Sequence, residues 1–215
     1  MDIAMSSNET VIYFVRHGET AENAGGVVQG QTDVPLNENG LKQAQLVGER
    51  LKNEPFDVIL SSDLQRAAIT ARSIANGREI IYTPELREWR LGHWEGKNIQ
   101  LVREIYPEEH SLYRSGSPDF LPEGGESRRE FYQRAVDFLR ETAEKYAGKK
   151  ILCVTHGGFL RNIILHIAGP EVCGVVPPCV GNTSISCIRK GEGDWQIVFW
   201  NDMEHLNHSI ESDGV

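Results

Sequence analysis

The chain lacks any apolar run near the ~20 residues that a membrane helix needs. Its opening, MDIAMSSNET, has neither a basic start nor an apolar stretch. The expectation is a cytoplasmic protein with no membrane partner, led in by a short disordered segment. A basic surplus is also missing. The net charge of −9 argues against a general nucleic-acid binder, which needs a broad cationic surface, but leaves room for a small focused cationic pocket. Cysteine is scarce: Cys153, Cys173, Cys179 and Cys187 form no C-x-x-C pair and none stands at zinc-finger spacing from a histidine. Reduced thiols are expected, with a Cys173–Cys179 bridge across CGVVPPC as an unsupported alternative. There is no internal repeat and no low-complexity tract. What remains, 215 residues with 40% apolar and 25% charged, suits one globular domain over 1–215.

Strand and helix signals alternate. TVIYFV, FDVILSS, EIIYTPEL and KILCVTHGG read as strands, the first and last as apolar runs covered on both faces. PLNENGLKQAQLVGERL reads as a helix with Leu41, Ala44, Val47, Gly48 and Leu51 inward, Asn37 as N-cap, and Leu36 and Leu41 as a hydrophobic staple. SDLQRAAITARSIANG reads as a helix with a Ser62–Gln65 capping box, Leu64, Ala67, Ala71 and Ile74 inward, and Gly77 as its stop. SRREFYQRAVDFLRETAEKYAGK carries a second such box, Ser127–Glu130, and an apolar side from Phe131 to Tyr146. FLRNIILHIAG reads as a helix and SISCIRKGEGDWQIVFWND as a terminal hairpin. The segment at about 98–127 reads as an irregular lid excursion with one short helix before Pro107, and the tail after 206 as frayed. The pattern predicts an α/β fold, three layers (α/β/α) around a mostly parallel sheet.

Ligands bind such sheets beyond the carboxyl ends of the strands. Three strands here end in FVRHGET, ILSSDLQR and CVTHGG, which brings Arg16, His17, Arg66, His156 and Gly157–Gly158 to one edge. Paired arginines bind phosphate oxygens with a planar fork of donors and stay charged. Backbone N–H groups at a helix start add to them, and glycines allow close approach. His17 is the candidate nucleophile: a neutral imidazole nitrogen attacks phosphorus and holds the phosphoryl group covalently, and neighbouring cations favour that neutral form. No third ligand at suitable spacing makes His17 a metal site. A leaving alkoxide needs a proton, and PELREWRLGHWEG offers Glu85, Glu88 and Glu95. Spacing does not choose among them.

RHGET with Asn23, QTDVPLNENG, SSDLQRAAITA, LREWRLGHWEG, PEGGES and THGG together resemble the histidine phosphatase superfamily, the phosphoglycerate-mutase-like group, in its short phosphatase-like branch. The matched motifs span roughly residues 11 to 205. The resemblance implies a phosphohistidine enzyme without metal or other cofactor, acting on a small phosphorylated metabolite. His17 would carry the phosphoryl group, and Arg16, Arg66 and His156 would hold its oxygens. Thr20, Asn23 and the Gly157 amide would add contacts, and Gln29 and Gly30 would line the substrate side. Glu88, the acid of LRE, matches the family's proton donor.

The short excursion and PEGGES favour a phosphatase over a mutase, which must shield the phosphoryl group from water; a non-catalytic phosphate binder would need neither His17 nor Glu88. Trp94, Tyr106, Leu112, Tyr113 and Phe120 could pack on a substrate or form a mini-core beneath the lid, and Arg103 or Arg114 could meet a second anion. Monomer and homodimer both stand, the terminal hairpin offering an edge strand.

Overall fold

The computed structural model describes residues 9–169 and 180–210. The lead-in, CGVVPPC with its possible bridge, and the last residues of the tail lie outside them. Among them six strands form one sheet: β1 (Thr10–Arg16), β2 (Val58–Ser62), β3 (Ile81–Thr83), β4 (Lys150–Thr155), β5 (Ile185–Lys190) and β6 (Trp195–Asp202). Their order is β3-β2-β4-β1-β5-β6. The first four strands of that order run parallel, while β5 and β6 are antiparallel additions.

Among the described residues seven α-helices accompany them: α1 (Ala21–Gly25), α2 (Glu38–Leu51), α3 (Gln65–Ala75), α4 (Ile99–Ile105), α5 (Pro107–Ser115), α6 (Arg128–Lys145) and α7 (Gly157–Ala168). None is long and apolar enough to cross a membrane.

Because side chains alternate along a strand, β1 feeds two cores. Ile12 and Phe14 pack with Phe131, Leu139, Phe159 and Ile163 of α6 and α7. Val11, Tyr13 and Val15 pack with Val47, Leu51, Ala71 and Ile74 of α2 and α3. The three-layer expectation is met, and the unbroken apolar run of β1 is explained by cover on both faces. Each large apolar side chain so buried contributes about 1.5–3 kcal/mol.

Three local expectations need correction. Leu41 is 45% exposed, so no staple forms. Asn37 does cap α2, accepting from Gly40 N–H at 2.7 Å, but the inward position is taken by Gly40, where a Cβ would lie 2.0 Å from the Glu19 carbonyl oxygen. That close approach turns Leu41 to solvent. The Ser62–Gln65 capping box is absent as well. Ser62 closes β2, and α3 starts after Leu64, which makes no side-chain cap. The excursion holds two helices rather than one. Tyr106, ahead of a proline, is pushed out of helical geometry, and Pro107 opens α5 at the one place where its missing N–H costs nothing. In the excursion Trp94 and Phe120 are buried in a core with Tyr113 beside them, while Leu112 is 51% exposed. Arg103 and Arg114 line a separate cavity of about 620 Å³ with His110, which none of the residues brought to the sheet edge lines.

Candidate active site

The carboxyl ends of β1, β2 and β4 meet where the strand register aligns Arg16 with Thr155. His17, next in the chain, is 2% exposed. Its Nδ1 lies 2.7 Å from the Gly18 carbonyl oxygen. A carbonyl only accepts, so Nδ1 carries the proton and Nε2 keeps a lone pair. Burial first, then the charges of Arg16 and Arg66, hold the imidazole well below its ordinary value of 6.5. The ring is neutral and its tautomer is fixed by the backbone.

Arg66, in the first turn of α3, is completely buried. It donates from Nη2 to the Gly30 carbonyl (2.7 Å), from Nη1 to the Thr32 carbonyl (2.8 Å), and from Nε to His156 Nδ1 (3.3 Å). A guanidinium has five N–H donors, so one on each Nη remains for a ligand. His156, thus an acceptor at Nδ1, gives its Nε2 proton to Ser62 Oγ at 2.9 Å. Burial, then Arg66, His17 and Arg16, hold its pKa well below 6.5. Its ring centroid lies 5.0 Å from that of His17. Arg16 Nη1 donates to the Val180 carbonyl at 2.6 Å.

The two glycines of THGG have separate jobs. A Cβ on Gly157 would meet Arg16 Nε at 3.3 Å, and one on Gly158 would lie 2.2 Å from Glu88 Oε1. Glu88 sits against the N-terminus of α7: Oε2 accepts from Gly158 N–H and Oε1 from Trp89 N–H, both at 2.9 Å. Of the three acids in the loop, Glu88 alone reaches the histidine edge. Glu85 is exposed; its N–H donates to Thr83 Oγ1 and its carbonyl accepts from Arg134. Glu95 pins the neighbouring loop, with Oε1 accepting from Gln31 N–H and Leu91 N–H and Oε2 from Thr32 Oγ1.

The remaining residues divide. Gly30 has φ +52° and lies so close to Glu95 that a Cβ would sit 2.1 Å from Oε1, so glycine there shapes the loop that holds Arg66. Gln29 Oε1 is buried with no partner among the described residues. Thr20 and Asn23 form the capping box of α1, and Asn23 Oδ1 also accepts from Asn182 Nδ2. These bonds are structural.

Several residues went unread in the sequence. Asn182 Nδ2 donates to the His17 carbonyl at 3.0 Å, and Thr183 N–H donates to the carbonyls of Arg16 and His17. Thr183 holds φ +54°, an unusual conformation for a β-branched residue, and its hydroxyl meets His205 Nε2. The only signal was the G-N turn pair, far down the chain from His17. Arg134 reaches the carbonyls of Glu85, Arg87 and Glu88 and pairs with Glu126 at 2.6 Å. That clamp gives PEGGES a physical role.

The buried neutral imidazoles of His17 and His156 make stability depend on pH, and buried His205, also lowered by burial, adds to them with the same sign. The unfolded chain protonates them below about 6.5 while the fold does not, so the unfolded state binds more protons and stability falls as pH falls from there. The slope reaches about 1.4 kcal/mol per pH unit for each ring. Urea midpoints are expected to drop between pH 7 and pH 5.5; an unchanged midpoint would mean that these rings take up protons within the fold.

An edge that gathers one buried and one half-buried guanidinium beside neutral imidazoles belongs to an enzyme of phosphomonoester hydrolysis. Residues 12–203 match the histidine phosphatase superfamily (branch 1), and the chain belongs to that family. A metal-independent phosphoserine phosphatase of Arabidopsis thaliana is 39% identical over 211 residues, covering 96% of this chain and 87% of the relative. Phosphoglycerate mutase-like protein 4 of the same plant is 39% identical over 204 residues, covering 92% and 87%. A mutant phosphoserine phosphatase of Entamoeba histolytica, solved with phosphoserine, superposes with a TM-score of 0.83 at 30% identity, covering 92% of this chain and 99% of that one.

Proposed function

We propose that the chain hydrolyses a small phosphomonoester of the phosphoserine kind through a phosphohistidine on His17, with no metal in the reaction. The observation that carries this reading is the Nδ1 bond of His17 to the Gly18 carbonyl. It leaves Nε2 unprotonated in a cage whose cations are Arg16 and Arg66. The relative from Arabidopsis is named metal-independent, which agrees with arginines as the source of charge.

In the first step His17 Nε2 attacks phosphorus in line. The N–P bond forms as the P–O ester bond breaks, and Glu88 gives its proton to the leaving alkoxide. In the second step Glu88 takes a proton from water, the oxygen attacks phosphorus, and the N–P bond breaks to restore the neutral imidazole. Arg16 and the two spare N–H groups of Arg66 hold the equatorial oxygens. Little covalent chemistry falls to the rest of the site, whose contribution is positioning and charge. His156 acts through Arg66 and Ser62, since both of its ring nitrogens are committed.

The test is phosphate release from phosphoserine in excess chelator, run beside interconversion of 3- and 2-phosphoglycerate. Release that persists with chelator, and outruns interconversion, is the expected result. Faster interconversion would make the chain a mutase, and loss of activity with chelator would overturn the metal-independent mechanism.

A further inference from the structure

Glycine at position 18 leaves the peptide planes on its two sides free to turn, and the fold holds each plane separately. The His17–Gly18 plane is fixed at both ends. The His17 carbonyl accepts from Asn182 Nδ2 at 3.0 Å and from Thr183 N–H at 3.3 Å, and Gly18 N–H donates to Thr70 Oγ1 at 3.1 Å. The next plane, Gly18–Glu19, carries the carbonyl that lies 2.7 Å from His17 Nδ1. A trans peptide is flat, with its C=O and N–H pointing to opposite sides. Whatever holds the Glu19 N–H therefore aims the Gly18 carbonyl. That partner is Gln43 Oε1, at 2.9 Å.

Gln43 stands there because of α2. It follows Gly40 by three positions, so the two share one side of the helix. Gly40 is where the chain leaving β1 docks: a Cβ on Gly40 would lie 2.0 Å from the Glu19 carbonyl oxygen, and one on Gly18 would lie 2.5 Å from the Gly40 carbonyl oxygen. Asn37 holds the far side of Glu19, with its N–H on the Glu19 carbonyl at 3.0 Å and its Nδ2 on Glu19 Oε1 at 2.8 Å. Those bonds belong to the following peptide plane and to the side chain. Among the described residues no other group accepts from Glu19 N–H. With the Gly18–Glu19 plane turned over, His17 Nδ1 would face an N–H instead of a carbonyl. The ring proton would then belong on Nε2, the nitrogen that has to keep its lone pair for phosphorus.

We infer that Gln43 is a positioning residue for the reaction: by holding Glu19 N–H it keeps the Gly18 carbonyl on His17 Nδ1, and so keeps the attacking lone pair on Nε2. Gln43 acts through the backbone and touches neither the substrate nor the ring. Once the N–P bond has formed the imidazole is cationic, and the same carbonyl still accepts from its Nδ1 proton. This rests on the phosphohistidine reading above and adds a group outside the cage that decides which ring nitrogen attacks.

The experiment reads the tautomer and the rate in the same variants. Nitrogen-15 spectra of histidine-labelled protein at neutral pH, taken without substrate, show which ring nitrogen holds the proton; His17 is assigned by the signals missing in His17→Ala. The wild type is expected to show a protonated Nδ1 and a bare Nε2. Gln43→Met keeps the length and helix propensity of the side chain but removes the acceptor. It is expected to give a mixed or inverted tautomer at His17 and to lower kcat on phosphoserine about fivefold to tenfold, the worth of one hydrogen bond. KM should change little, because Arg16 and Arg66 are untouched. Gln43→Glu, which returns an oxygen to Glu19 N–H, is expected to restore the tautomer and most of kcat. A wild type protonated at Nε2, or a His17 spectrum unchanged in Gln43→Met, overturns the inference. A changed tautomer with unchanged kcat overturns the catalytic role. Absence of phosphate release by the wild type overturns the phosphatase reading and that role with it, while the spectra decide by themselves the hold of Gln43 on the ring.

Discussion

Replacing His17 with alanine removes turnover on every phosphomonoester, by about 10⁴-fold or more, because no other group at the edge offers an unprotonated nitrogen to phosphorus. His156 cannot substitute: Arg66 occupies its Nδ1, and its Nε2 proton is held by Ser62. In a rapid quench with labelled substrate, the wild type takes up protein-bound phosphate that is labile in acid and stable in base, and the variant takes up none. Label that survives in the variant would place the covalent intermediate elsewhere. The variant should still fold, since the lost bond is a single contact to Gly18. Its stability should also fall less steeply toward acid, with one fewer neutral imidazole to be protonated on unfolding.

Glu88→Gln should show a different signature, set by the leaving group. Alkoxide departure from phosphoserine needs a proton, so that step slows by about 10²–10⁴-fold. The nitrophenolate of p-nitrophenyl phosphate leaves without help, so phosphorylation of His17 stays fast while attack by water, which has lost its base, becomes slow. The expected record is a burst of nitrophenolate equal to the enzyme present, followed by slow turnover. Gln keeps one oxygen acceptor for the N–H groups of Trp89 and Gly158, so the fold loses one hydrogen bond, about 1 kcal/mol. Equal slowing of aryl and alkyl esters without a burst would remove Glu88 as the proton carrier.

The sheet edge was readable because its signals are local. Each apolar run ends directly in the group it positions, and the rule that ligands sit beyond the carboxyl ends of strands needs no distance information. Arg66 and His156 were placed in this way. Glu88 was not. Three acids in one loop look alike in sequence, and only the family resemblance separated them; in the structure the separation comes from Gly158, whose missing side chain makes space for that carboxylate. The misreadings also have causes. Ser62 looks like a helix cap because serine caps helices through the same oxygen that here accepts from His156. Leu41 looks inward because helical spacing cannot register that the backbone of Glu19 comes within contact distance of Gly40. Asn182 and Thr183 had only the G-N turn pair as a local signal, since what they hold lies at the opposite end of the chain, and His205 acts there only through Thr183. Thr20 and Asn23 have a second part in the fold that the motif did not announce: they cap α1, and Asn23 Oδ1 also accepts from Asn182.

The position of β1 between β4 and β5 sets the order in which the enzyme can be made. Residues 10–17 pair only with strands that lie well over a hundred residues further along the chain. The helices α2 and α3 can pack on each other early, at small loop-closure cost, whereas joining β1 to its neighbours closes loops of well over a hundred residues. The carbonyl of His17 is gripped only when Asn182 and Thr183 arrive. The His17 backbone is therefore translated well before the residues that hold its carbonyl, and its setting is completed only when that distant segment folds back.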